Sequence, residues 1–210
     1  LIPEDNESEP DPKSYRQIIS HINRGLTKIY SRFLLSSKEL IIERDPTLNK
    51  YILSSEYAVS NTTSLEPIKY IIDTALAPFE DDVLKIEQCF DENNVLDTTV
   101  ATVPLSLNDP QENLSIKTLS YRSLQLPAIG RFPTGEYEWG RILVRYRAAH
   151  PRLVWTPSTD PQSIDVLIPE SLYEALLYYV AYRASPQPIG GIDGAQTFLQ
   201  LYEQACRSVE

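Results

Sequence analysis

The sequence predicts an α+β protein in which both chain ends form a helical bundle and the middle forms an inserted, antiparallel β-rich domain. Apolar residues recur at helical spacing near the start and in the last third of the chain. Between them lie short segments rich in branched and aromatic residues. The chain has 210 residues, 42% hydrophobic and 23% charged, which is an ordinary globular balance. This length allows one or two domains with a buried core.

The N-terminal region predicts an acidic arm followed by a long amphipathic helix. Residues 1–11 contain Glu4, Asp5, Glu7, Glu9 and Asp11, and we expect a solvated, flexible segment there. Asp11 can accept hydrogen bonds from free amides, and Pro12 suits a first helical position that needs no N–H. From Pro12 to Leu35 the apolar residues form a single stripe. The opposite, polar face carries Arg16, Asn23, Arg24, Thr27, Lys28 and Ser31.

Residues 36–163 are predicted to form the β-rich domain, a small sandwich or barrel. Five segments have strand character: 39–43, 51–53, 83–86, 120–126 and 141–147. The last alternates almost perfectly, so we expect Arg141, Arg145 and Arg147 to lie on a wet face. Pairing of these cations with neighbouring acids is the expected arrangement, and a phosphate-binding track is the alternative. Residues 66–75 are compatible with a strand or a short helix.

Two helices are predicted in the last third, which completes a bundle domain of residues 12–35 and 164–210. Pro169-Glu170 suits a first turn, and that helix should end at Ala184, before Pro186. It is apolar on nearly all sides, which predicts that it is covered on both. Asp193 and Gln196 resemble a capping box at the start of the final helix.

Composition argues against several functional classes. The net charge of −10 disfavours a protein that grips nucleic acid through its overall field, although it does not exclude a basic patch. Cys89 and Cys206 are too few for a disulfide framework or a four-ligand zinc site, and we expect buried thiols. His21 and His150 are far apart in sequence, and His21 is expected at the edge of the first helix's apolar stripe. No apolar run approaches the roughly 20 residues of a membrane span.

The sequence offers weak candidates for catalysis, and we expect neither an enzyme nor a cofactor. The glycines at 190, 191 and 194 lack the Lys-Ser/Thr pair of a phosphate-binding loop and are interpreted as an interhelix turn. Two acidic pairs, Asp81-Asp82 and Glu136 with Glu138, have the residue types of a general acid and base or a calcium site. Such doublets are common in a chain with 29 acids.

Tyrosine is the unusual feature of the composition. The chain has 13 tyrosines, and four of them lie in the helix predicted after Pro169. Buried rings need partners for their hydroxyls, and aromatic residues with arginine are enriched at interface cores. An aromatic core within the domain is the alternative for any single ring. The predicted subunit or partner interface comprises Arg16, Arg24, Lys28, Tyr173, Tyr178, Tyr179, Tyr182, Arg183 and Tyr202.

Several segments, taken in order, resemble one protein family. They are residues 18–33, 79–86, 107–110, 144–151 and 168–183. In this series the chain resembles the head-to-tail adaptor proteins of short-tailed bacteriophages, over most of its length from Tyr15 to Cys206. The acidic arm and the segment 62–75 have no counterpart in the resemblance.

The resemblance implies a structural role in the neck of a virion. Such adaptors combine a bundle made from both chain ends with a β-rich insertion. They form a ring, usually a dodecamer, between the portal protein and the tail nozzle protein, around the channel that carries DNA. Two other hypotheses stay open: a β-sandwich module that binds carbohydrate or protein in a virion accessory protein, and a carboxylate-based hydrolase.

Overall fold

A computed structural model describes residues 12–91, 103–112, 115–127, 140–185 and 193–210. It is a mixed α+β structure with three helices and antiparallel sheets in these ranges. The acidic segment 1–11, the Glu136 and Glu138 pair and the glycines at 190 and 191 lie outside the described residues.

The chain divides into two compact units. Residues up to Phe33 and from His150 onward form the helical unit, and residues Leu34 to Ala149 form the β unit. The second boundary comes earlier than the expected one at 163 because the segment after His150 is bonded to the first helix. Asn23 Nδ2 donates to the Leu153 carbonyl at 2.8 Å, and the Leu153 amide donates back to Asn23 Oδ1 at 2.9 Å.

The helical unit contains the helices α1 (Pro12–Arg32), α2 (Tyr173–Ala184) and α3 (Asp193–Arg207). A 3-10 turn, Glu170–Leu172, leads into α2. The prediction that this helix ends at Ala184 is confirmed, and the Ser185 amide donates to the Ala181 carbonyl as its cap. The first helix ends at Arg32 rather than at the predicted Leu35, because the next residues lead into a strand.

The β unit contains two sheets whose strand ladders are all antiparallel. In chain order the strands are β1 (Ser37–Glu43), β2 (Lys50–Ile52), β3 (Ile71–Ile72), β4 (Val83–Asp91), β5 (Val103–Leu105), β6 (Lys117–Ser120), β7 (Ser123–Gln125) and β8 (Arg141–Ala148). The larger sheet has the order β3-β1-β8-β4-β5, and the smaller has the order β2-β7-β6. Residues 66–75, which the sequence left open, contribute the short edge strand β3.

Both sheets contribute to one hydrophobic core. Ile42 and Val144 of the larger sheet and Tyr51 and Leu124 of the smaller sheet are fully buried within it. Strand β8 alternates as predicted, because Ile142, Val144, Tyr146 and Ala148 are buried while the intervening side chains are not. This alternation places one face of the larger sheet against the core.

The predicted single strand over 120–126 is wrong, because the chain turns at Tyr121 and Arg122. Ser120 and Ser123 face each other across the resulting hairpin, with their Oγ atoms 2.8 Å apart. The Arg122 amide donates to Ser120 Oγ at 3.3 Å. Serine side chains that hydrogen-bond to the nearby backbone favour turns over continuous strands. The strand prediction rested instead on the apolar residues beside these serines.

On the outer face of the larger sheet, the arginines of β8 pair with acids. This confirms the expected ion pairing and not the alternative, a phosphate-binding track. Arg145 Nη2 lies 2.7 Å from Glu39 Oε1, and Arg147 Nη2 lies 2.9 Å from Glu87 Oε1. Arg141 Nη2 lies 3.5 Å from Glu43 Oε1. On β1, Glu39 and Glu43 are the direct cross-strand neighbours of Arg145 and Arg141. Glu87 of β4 lies at a register shift, and it reaches Arg147 from there.

Candidate subunit interface

Helix α2 has two apolar sides, and one of them is exposed. Leu172, Ala175, Leu176 and Tyr179 are buried within the helical unit. On another side, Tyr173 is 44% exposed and Leu177 is 67% exposed. With Val180 and Ala184, these residues follow a spacing of four, three and four, which aligns them along one stripe of the helix. We call Tyr173, Leu177, Val180 and Ala184 the α2 stripe.

The α2 stripe is apolar surface of the kind that marks docking sites. Large apolar side chains that line up on one exposed helix face differ from the single exposed residues found on most proteins. Fully burying a leucine side chain is worth about 1.5–3 kcal/mol, so a partner seated here would gain from Leu177 alone. The prediction that α2 is covered on both sides is wrong within this chain, because the side with Tyr173 and Leu177 is exposed.

The nine predicted interface residues fall into two groups. Arg16, Arg24, Lys28, Tyr173 and Arg183 are exposed, and Tyr178 and Tyr182 are half-buried. Tyr179 and Tyr202 are only 7% and 3% exposed, and their ring centroids lie 5.5 Å apart between α2 and α3. These two rings form part of the interior of the helical unit, which corrects their assignment to an outer surface.

Two of the four tyrosine hydroxyls of α2 have hydrogen-bond partners in the described part of the chain. Tyr178 Oη donates to Glu174 Oε1 at 2.8 Å, and this bond to the carboxylate raises the pKa of Tyr178. Tyr173 Oη donates to the Val166 carbonyl at 3.2 Å. The need to satisfy hydroxyls therefore does not itself demand a partner subunit. The exposed leucine of the α2 stripe, which sequence reasoning did not single out, is the stronger sign.

Helix α1 is strongly basic in an acidic chain. It carries five basic side chains and no acid: Lys13, Arg16, Arg24, Lys28 and Arg32. Arg32 bonds Glu203 at 2.8 Å and Glu210 at 2.7 Å, and its guanidinium lowers the pKa of Glu210. In the described parts of the chain, none of the ion pairs includes Arg16, Arg24 or Lys28. These three side chains are exposed and give this side of α1 a positive charge.

His21, which the sequence places at the edge of the apolar stripe of α1, is buried in the helical unit. It is 8% exposed, and neither ring nitrogen has a hydrogen-bond partner. Burial lowers the pKa of His21 below its ordinary value, and the positive charges of Arg183 and Arg24 lower it further. The imidazole therefore stays neutral near pH 7.

The acidic pair Asp81-Asp82 holds loops in place. The Asp81 carboxylate accepts hydrogen bonds from the backbone amide of Ser55, at 2.8 Å, and from its hydroxyl. Asp82 Oδ2 lies 2.7 Å from Lys38 Nζ, and Asp82 Oδ1 accepts from the Tyr146 hydroxyl at 3.0 Å. Both carboxylates are thus engaged in contacts between segments of the β unit.

The β unit also has an open cleft of about 560 Å³. Its lining includes Lys38, Asp73, Phe79, Glu80 and Tyr146. The Lys38 ammonium at its edge is held by Glu80 at 2.8 Å. A cleft with aromatic walls and a few charged groups has the general character of a ligand site.

Metal and thiol chemistry find little support in the described residues. These residues include no group of three or more acidic, histidine or cysteine side chains placed to hold a metal ion. Cys89 and Cys206 are both buried, as predicted, and burial raises the pKa of Cys89 to about 12. None of the described helices has the length and apolar character needed to cross a membrane.

Comparison with known proteins gives one partial similarity. No protein-family model matches the sequence. The chain is 31% identical over 99 residues to the tRNA modification GTPase MnmE of Mycoplasmoides gallisepticum. The similarity covers 43% of this chain and 22% of that protein, so the chain spans less than a quarter of the length of this relative.

Proposed function

We propose that this protein is a subunit of a homo-oligomeric ring, the head-to-tail adaptor between the portal and the tail nozzle of a short-tailed bacteriophage. The ordered resemblance along the chain is the source of this proposal. The structural observation that carries it is the α2 stripe, on which Leu177 is 67% exposed. A ring subunit needs such a surface, because it must bury one of its faces on each neighbour.

The contacts among the helices support the plan expected of an adaptor, a bundle built from both chain ends around an inserted domain. Gly25 of α1 lies against Leu176 and Tyr179 of α2. Arg32 at the end of α1 bonds Glu203 of α3. Segments far apart in sequence therefore pack together, while the β unit is formed by the residues between them.

The charge of the chain supports passage of DNA without binding. A subunit of net charge −10, repeated around a dodecameric ring, would repel phosphates electrostatically and leave the DNA free to move. In this proposal the protein has no catalytic site and no cofactor, and it is located in the virion neck. Its partners are its own copies, the portal protein and the tail nozzle protein.

Native mass spectrometry of the purified protein, alone and with the portal protein of the same virus, tests this function. We expect a ring, free or assembled on the portal, and an image along its axis gives the number of subunits. A monomer in solution is compatible with template-dependent assembly. A protein that stays monomeric and also ignores portal rings would refute the proposal.

The cleft beside Lys38 supports one other candidate, a β module that binds carbohydrate or peptide. Full-length protein screened against glycans and peptides would reveal such a ligand, and Lys38→Ala should weaken its binding. Binding that is lost in this variant, combined with a protein that never assembles, would favour the binding module over the adaptor.

A further inference from the structure

Two exposed surfaces of the helical unit have opposite charge. The first is the basic side of α1, on which Arg24 and Lys28 lie one turn apart. The second combines the α2 stripe with the acids that precede and flank it, Glu170 and Glu174, both exposed. Residues 164–184 contain three acids and one basic residue, Arg183, whereas α1 contains five basic residues and no acid.

These two surfaces lie on different sides of the helical unit. At 3.6 residues per turn, the directions of Asn23 and Lys28 about the axis of α1 differ by about 140°. The directions of Tyr30 and Arg24 differ by about 120°. Asn23 bonds Leu153, and the Tyr30 hydroxyl donates to the Leu167 carbonyl, so the segment 153–167 covers the side away from Arg24 and Lys28. Tyr173 of the α2 stripe bonds Val166 of that same segment.

We infer that the basic side of α1 in one copy docks on the α2 stripe and its neighbouring acids, Glu170 and Glu174, in the next copy. This inference rests on the proposed ring, and it assigns the two faces that meet. Complementary surfaces on different sides of one molecule give a head-to-tail contact, which closes into a ring when the rotation between copies permits. A two-fold dimer uses one surface of each copy, so it would not bury both of these surfaces when they lie on different sides of the molecule.

The chemistry of the two faces suits this contact. Arginine and lysine carry long apolar stems, which can cover Leu177 while their charged ends reach Glu170 and Glu174. The guanidinium of Arg24 is also the group best suited to stack on the exposed ring of Tyr173. Apolar cover in the centre and opposite charges around it are the usual composition of an interface.

Charge reversal on each face tests the inference. One variant carries Arg24→Glu with Lys28→Glu, and the other carries Glu170→Lys with Glu174→Lys. Each variant alone sets like charges against each other, and we expect assembly at low salt to weaken at least about tenfold. An equimolar mixture of the two variants pairs opposite charges at every contact, so it should restore assembly. A chain with all four changes should do the same.

The matched control for the α1 variant reverses two exposed cations of the β unit, Lys50→Glu with Lys117→Glu, which gives the same change in net charge as that variant. Assembly is measured by native mass spectrometry and sedimentation, with and without portal rings, and thermal unfolding of each variant is followed separately. Rescue by mixing shows that a loss of assembly is not misfolding. If the wild type assembles and the single-face variants assemble equally well, or mixing fails to rescue them, the face assignment is overturned while the ring proposal stands. A wild type that stays monomeric and also ignores portal rings overturns both.

Discussion

Gly25 of α1 lies directly against Leu176 of α2, with no room for a methyl group between them. A Cβ atom at residue 25 would lie 2.7 Å from Leu176 Cδ1 and 2.9 Å from Tyr179 Cδ1. Both distances are shorter than carbon atoms tolerate without displacement. The absence of a side chain at Gly25 therefore sets how closely the first helix approaches the second.

Gly25→Ala should destabilise the protein even though alanine favours helices. Overpacking a tight contact costs about 1–3 kcal/mol, and replacing a helical glycine by alanine returns up to about 1 kcal/mol. We expect a net loss of about 1 kcal/mol, measured by urea unfolding. Ser20→Ala, at an exposed position of the same helix, is the control and should not destabilise. Increased stability of Gly25→Ala would show that α1 and α2 can accommodate a methyl group at residue 25.

The helical unit should lose stability as the pH falls, because His21 is buried without hydrogen-bond partners. Its folded pKa lies below the ordinary value of 6.5, so the unfolded chain takes up the proton first. The contribution of His21 is thus complete above pH 6.5 and is lost below it, until the folded imidazole is also protonated. Unfolding measured across this range should show a steeper decline in the wild type than in His21→Leu.

At neutral pH we expect His21→Leu to be as stable as the wild type, since it removes two unpaired ring nitrogens from the interior. With only two histidines in the chain, NMR titration of the imidazoles gives the pKa of His21 directly, and the variant identifies its signal. A His21 that titrates at or above 6.5 would contradict the buried, neutral imidazole.

Tyr70→Phe should destabilise the β unit by about 1–3 kcal/mol. The Tyr70 hydroxyl donates to the Ile52 carbonyl and accepts from the Ile52 amide, both at 2.8 Å. Its removal leaves two backbone groups of β2 without these bonds, and the ring contacts with Tyr51 and Tyr57 remain. Tyr121→Phe, at an exposed ring, is the matched control, and equal stability of the two variants would show that the Tyr70 hydroxyl contributes little.

Leu177→Ser should reduce assembly without unfolding the subunit. Because the side chain is two-thirds exposed, we expect a change in stability within about 0.5 kcal/mol. Loss of apolar cover at the proposed contact should nevertheless shift native mass spectra toward the monomer. Leu119→Ser, at another exposed leucine in the β unit, should leave assembly intact. Unchanged assembly of Leu177→Ser would remove the α2 stripe from the interface.

Sequence periodicity predicted the helices well and the small sheet poorly. Clear local signals mark two of the helix boundaries: a proline at the start of α1, Pro12, and a turn after the end of α2, Ala184. Strand β8 was predictable because its alternation reflects one buried face. The hairpin at Tyr121 was missed because the apolar and aromatic residues around Ser120 and Ser123 outweighed the turn preference of these serines.

The candidate site was predicted in part. The exposed cations of α1 follow directly from an amphipathic pattern, in which polar residues are left on the outer face. Tyr179 and Tyr202 were misassigned because an apolar helix does not reveal which of its sides its own chain covers. Tyr179 is buried and Leu177 is exposed because of the way α2 packs on α1 and α3.

The hydroxyl of Tyr70 has one more consequence, for the outer border of the smaller sheet. β2 is an end strand, and an end strand with unused amides and carbonyls can recruit a strand from a foreign chain. At Ile52 both of these groups are already occupied by a side chain of the same molecule. The Tyr70 hydroxyl thereby makes these two groups of Ile52 less available to a foreign strand.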